Sequence, residues 1–196
     1  MSHGAFSGEP QTQWLTESNL PDRKMRLLVD FSFTDPAGKK WVTPKDYIVD
    51  GASIPQALWT TVGSPYTGDY RRASIVHDKA CDDAINDAAA RRAADRMFYH
   101  ACRAGGCSIE QATLLYIGVR IGGVWPRVLP WAVPAIAPRG PRREKTPADQ
   151  RIEADFRLVA HKVLAQPESD DPVEIEARTD RAISNVTGFS TPIPKR

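Results

Sequence analysis

The spacing of apolar residues changes period along this chain. In residues 25–35, MRLLVDFSFTD, the apolar positions Leu27, Val29, Phe31 and Phe33 alternate with polar or smaller neighbours. That two-residue repeat predicts a strand with one buried face. A turn at Pro36-Ala37-Gly38 and a return segment at 39–49, KKWVTPKDYIV, complete a hairpin pattern with a longer loop. Pro44 puts the returning strand at an edge or interrupts it, because proline cannot donate to a sheet ladder. From residue 70 the period is helical. Residues 70–86 and 88–104 carry apolar stripes, with a break at Asn86-Asp87 and a stop at Gly105-Gly106. Ser108 caps a third helix with Gln111 at the capping-box position, and that helix carries Leu114, Leu115, Ile117, Val119 and Ile121.

The pattern weakens on either side. Residues 1–13 read as disordered. Residues 121–138, IGGVWPRVLPWAVPAIAP, are almost wholly apolar but contain Arg127 and four prolines, so they suit a kinked covering segment or a lipid-touching one better than a span of about 20 apolar residues. Past Pro138 the chain becomes a basic, proline-rich linker, followed by helical patterns at 152–165 and 172–184 whose hydrophobic faces are thin. The expectation is an α+β fold: a small N-terminal antiparallel sheet packed on a three-helix unit, with a C-terminal helical arm. The corresponding division is a disordered start (1–13), a globular domain (14–137), a linker (138–150) and a partly disordered helical tail (151–196) suited to binding a partner.

Composition narrows the class. A hydrophobic content of 41% suits a soluble domain, and a net charge of +2 is too mild to argue for nucleic acid. Three cysteines, Cys81, Cys102 and Cys107, form no disulfide framework and read as free thiols. With no apolar run behind a basic start, cytoplasmic synthesis is expected.

The chemistry concentrates at IVHDKACDDAIND, residues 75–87. His77 shares a helix face with the small residues Ala73, Ala80 and Ala84, and with Val76 and Cys81. If the next helix folds back antiparallel, Asp95 can meet it. A histidine held by a carboxylate on one nitrogen can act as a general base through the other, and the adjacent Asp78 is a hard ligand for calcium or magnesium. The bland alternative is a helix pair in which His77 and Asp95 satisfy each other. A zinc set drawn from His77, Cys81, His100, Cys102 and Cys107 lacks any C-x-x-C pair. In DGASIP, Asp50 either caps a turn or joins Asp78 around a metal.

Two resemblances bear on this site. The runs VDGASIPQALW, GSPYTGDYRRASIVHD, AADRMF and LLYIGVRIGG resemble an uncharacterised family of bacteriophage and prophage genomes over residues 14–125. More narrowly, HDKAC followed by AADRMF looks like the calcium-dependent sn-2 phospholipases, the parvoviral capsid type above all, which reads HD-x-x-Y and then AD-x-x-F. That likeness implies His77 as general base, Asp95 as its orienting carboxylate and Asp78 as a calcium ligand, with Gly63 and Gly68 as candidate carbonyl donors. Cys81 stands where the motif has tyrosine, and Ala73 and Ser74 stand where secreted members carry cysteines. The leading expectation is therefore a phage-associated, phospholipase-like hydrolase that touches lipid through 121–138. The alternative is a non-enzymatic virion assembly or tail accessory protein that binds phage structural proteins through its C-terminal arm.

Overall fold

The structure, a computed structural model, describes residues 2–16, 24–49, 68–128 and 145–188 together with Ile54 and Leu58, with side chains as far as Gly123 in the third helix. Among the described residues six short strands form two antiparallel three-stranded sheets. One has the order β1-β4-β5, from Ala5–Phe6, Phe31–Thr34 and Lys40–Thr43; the other has β2-β3-β6, from Thr12–Leu15, Lys24–Leu27 and Ile48–Val49. The β4–β5 hairpin pairs Phe33 with Trp41. Its turn is organised by Asp35, whose carboxylate accepts from the Ala37 and Lys39 N–H groups at 3.0 Å each and from Trp41 Nε1 at 2.9 Å. Pro44 interrupts the return strand as expected, splitting β5 from β6.

Two strand-level expectations change. The single strand foreseen over 25–35 is divided at Leu28–Asp30, because its first half pairs with β2 and β6 and its second half with β1 and β5. The bend between the sheets turns Val29 outward, to 39% exposure. Residues read as a disordered start carry β1 and the first part of β2. Phe6 packs on Phe31 and Phe33 with ring centroids 5.7 and 5.0 Å apart. Gly4, at φ 99°, allows this close approach: a Cβ there would lie 2.3 Å from the Thr34 carbonyl oxygen.

Among the described residues the helices are α1 (Arg71–Asp83), α2 (Ala88–Gly105), α3 (Ile109–Val128), α4 (Pro147–Leu164) and α5 (Pro172–Thr187). A tight turn joins α1 to α2. Asn86 takes the left-handed conformation at φ 65°, and the Asp87 carboxylate accepts from the Ala89 and Ala90 N–H groups at 2.9 Å each. So short a connection folds the two helices back on one another. Gly106, at φ 112°, ends α2, and the Ser108 hydroxyl accepts from Gln111 N–H at the start of α3.

The C-terminal region is not a detached arm. Ile152, Phe156, Val159 and Val163 of α4, and Ile175 and Ile183 of α5, join the same core as Phe98 and Tyr99 of α2 and Leu115 and Tyr116 of α3. Thin stripes suffice because α4 and α5 bury them against each other as well as against the preceding helices. The end of the expected linker is helical too: Thr146 and Asp149 form a capping box, with Pro147 in the first turn. Among the described residues no helix is long and apolar enough to cross a membrane. Most of the apolar segment 121–138 lies outside the described residues.

Candidate functional site

His77 Nε2–H donates to Asp95 Oδ1 at 3.0 Å, joining α1 to α2. Neither side chain has exposed surface. The small residues flanking His77 on α1, Ala73 and Ala80, leave room for the imidazole, and the Phe98 ring packs against it with centroids 4.6 Å apart. Asp95 is fully buried, and three cations or potential cations converge on it. Arg91 Nε donates at 3.2 Å from one turn earlier, and Arg120 Nη1 approaches Oδ2 at 3.4 Å from α3. Arg120 continues to Asp180 of α5, its Nη2 donating to Oδ1 at 2.7 Å. Arg92 binds both Asp180 and Glu176. A buried ionic chain thus runs from α1 through α2 and α3 to α5.

Sequence reasoning missed the arginines. Arg91 had a signal, its i, i+4 spacing from Asp95. So did Arg120, a lone charge between Val119 and Ile121 in an apolar helix. Asp180, 85 positions beyond Asp95 in the numbering, had none.

Cys81 completes the cluster. Its sulfur lies 3.6 Å from His77 Nδ1 and 3.4 Å from Nε2. Both contacts reach the imidazole from one turn further along α1. Cys81 is the one hydrogen-bond partner of His77 Nδ1 among the described residues.

The charges hold one another in place. Burial pulls the His77 pKa down, but the Cys81 sulfur and the bonds to Asp95 and Cys81 outweigh it and bring it up to about 9. Burial pushes Asp95 up; His77, Arg91 and Arg120 hold it below the ordinary carboxylate range. Burial likewise raises Cys81, yet His77 and Arg91 bring its thiol below the usual value. Groups so close exchange protons as a set.

The expected metal ligands are only partly brought together. Asp78 is buried on α1 beside His77. Gly68 has φ 85° just before α1, and its carbonyl accepts from Arg71 N–H at 3.3 Å. Asp50 and Gly63 lie outside the described residues. His77, Cys81 and Asp95 place ligand atoms within 4.8 Å of one another. Arg91 and Arg120 already compete for the same Asp95 carboxylate. His100 instead meets His3, Nδ1 to Nδ1 at 3.2 Å, and Cys102 and Cys107 are buried free thiols.

Residues 25–119, a little under half of the chain, match the model of a family described as "Protein of unknown function (DUF1353)". That span holds His77, Asp78, Cys81, Arg91 and Asp95 and stops just short of Arg120. Two curated relatives come from Sinorhizobium fredii (strain NBRC 101917 / NGR234). Uncharacterized protein y4jT is 39% identical over 120 residues, 61% of this chain and 34% of that protein. Uncharacterized protein y4iH is 36% identical over 105 residues, 53% of this chain and 43% of that protein. The matches therefore span less than half the length of these relatives. No solved structure matches the chain.

Proposed function

We propose that this chain is a phage-associated hydrolase of the phospholipase type, with His77 as general base, Asp95 as its orienting partner and Asp78 as a ligand to calcium or magnesium. The observation that supports this reading is the division of labour on the imidazole. Nε2 is committed to Asp95 at 3.0 Å, while Nδ1 faces the Cys81 sulfur at 3.6 Å and no oxygen or nitrogen among the described residues. That is the arrangement a water-activating histidine needs: one nitrogen fixes tautomer and orientation, and the other takes the proton of the attacking water. Asp95, held ionised by Arg91 and Arg120, stabilises the imidazolium that results. A bound divalent cation supplies charge stabilisation to the ester carbonyl, and Asp78, a carboxylate one residue from the base, fits such an ion. The lipid partner would meet the chain through residues 121–138.

A second reading has its own observation. His77 and Asp95 have no exposed surface, and Asp95 is tied to arginines on two helices. This suits a non-enzymatic assembly or tail accessory protein, in which the pair locks the fold and the exposed Leu158, Leu164 and Val173 offer a surface to phage structural proteins.

Lipid hydrolysis separates the two. On the first reading the wild type cleaves phospholipid ester in vesicles with calcium present, and His77→Ala lowers turnover by about a hundredfold or more, beside the stability loss that burial of the pair gives on either reading. On the second, the wild type releases no fatty acid and His77→Ala costs about 3–5 kcal/mol, because Asp95 loses a partner while buried.

A further inference from the structure

We propose that His3 and His100 form a proton-sensitive latch that holds strand β1 on the fold and releases it in acid. His3 lies on the segment that leads into β1, and His100 lies on α2. Their Nδ1 atoms face each other at 3.2 Å, with the ring centroids 5.5 Å apart, so the rings meet edge to edge. The other nitrogen of His3 is already committed: Nε2–H donates to Asp170 Oδ2 at 2.9 Å, just before α5. Asp170 is fixed in turn from α2, by the Tyr99 hydroxyl at 2.8 Å and the Arg103 guanidinium at 2.9 and 3.1 Å. The latch thus joins three parts of the chain that are distant in sequence, and only 10% of the His3 side chain is exposed.

Two facing nitrogens share one proton. Either His100 donates to His3, or a charged His3 donates to His100, and both arrangements keep the bond. A second proton sets N–H against N–H, with two positive rings in contact and no acceptor between them. The surrounding groups set the balance. Burial, and then the facing His3, disfavour the charged form of His100; Asp35 of the β4–β5 turn and Asp170 and Asp171 before α5 favour it, and its pKa is left below the ordinary 6.5. Asp170, pushed up by burial but held down to about 2 by Arg103, Tyr99 and His3, stays ionised in mild acid. Once His3 swings out, His100 recovers its ordinary affinity for a proton. Below 6.5 the open form therefore binds one proton more than the docked form, and falling pH favours opening. Little else retains β1: two residues of ladder with β4, the bonds between Ser7 and Ser32, and the Phe6 ring.

The test is hydrogen exchange of the full chain, resolved by segment, from about pH 7 to about pH 5, where histidine is the side chain that ordinarily changes charge. After correction for the intrinsic pH dependence of exchange, opening of residues 3–7 should rise by about tenfold per pH unit below 6.5, one proton per opening. Protection of α2 and α3 should hold over the same range, since His77, raised to about 9, keeps its proton throughout. In His100→Gln, shown to be folded by circular dichroism, the pH dependence should vanish, because the amide meets either form of His3 and takes up no proton. Should that variant not fold, the wild-type slope decides alone. A flat wild-type profile, loss of helix protection together with β1, or an undiminished slope in folded His100→Gln each overturns the proposal. No hydrolysis is read, so the latch and the functional reading of His77 can fail separately.

Discussion

At the residue scale the site is a shared proton problem. His77 can act as a base only after losing the proton that Cys81 and Asp95 help it keep. The acid limb of any ester-hydrolysis profile should therefore lie on the alkaline side, rising toward about 9. In Cys81→Ala the largest upward pull is gone while burial still opposes the charge, so that limb should move to lower pH. An unmoved limb in a kcat/KM profile would detach Cys81 from His77. Stability carries the same signs. The folded pKa of His77 is raised, so its contribution is fully present below the ordinary value of 6.5 and is lost as pH climbs through about 9. That of Asp95 is depressed, so its contribution is present above the ordinary 3.8 and is lost as pH falls through the lower folded value. Melting temperature against pH should show both losses, and His77→Gln should remove the alkaline one.

At the scale of elements, the site depends on the turn that folds α2 back on α1. Asp87 is the pivot, because its carboxylate satisfies two N–H groups at the start of α2 that no helical carbonyl can reach. Asp87→Ala should cost about 1 kcal/mol by urea unfolding. It should loosen the His77–Asp95 register more than it disturbs the sheets, which hydrogen exchange resolved by segment would show. The α1–α2 pair was readable in the sequence because each of its determinants is local: the Asn86-Asp87 break, the small residues around His77, and the glycines at 105 and 106.

At the scale of the molecule, the C-terminal helices are part of the site's foundation. Asp180 receives Arg120 and Arg92, so α5 neutralises the cations that hold Asp95. Asp180→Ala should leave two buried guanidinium groups short of a partner and cost about 3–5 kcal/mol in thermal or urea unfolding. Replacing Asp180 and Arg120 together by apolar residues should cost less than the sum of the single changes, since neither then strands the other. Strict additivity would mean the chain of charges is not a unit.

Local pattern determined the helix boundaries near the site, the β4–β5 hairpin, the interruption at Pro44 and the meeting of His77 with Asp95, because alternation, caps and i, i+4 spacing act within a few residues. Tertiary structure alone decided the rest. Ordering of the chain start depends on Phe6 finding Phe31 and Phe33, and the split of residues 25–35 between two sheets depends on which strands lie alongside each half. The docking of α4 and α5 needed partners far away in sequence, since a thin apolar stripe is an arm or a core element according to what covers it. The charge environment of Asp95 was equally hidden, for Arg120 and Asp180 approach it only when α3 and α5 pack. Burial then turns a common His-Asp pair into a coupled set of charges, and burial is a property of the assembled fold.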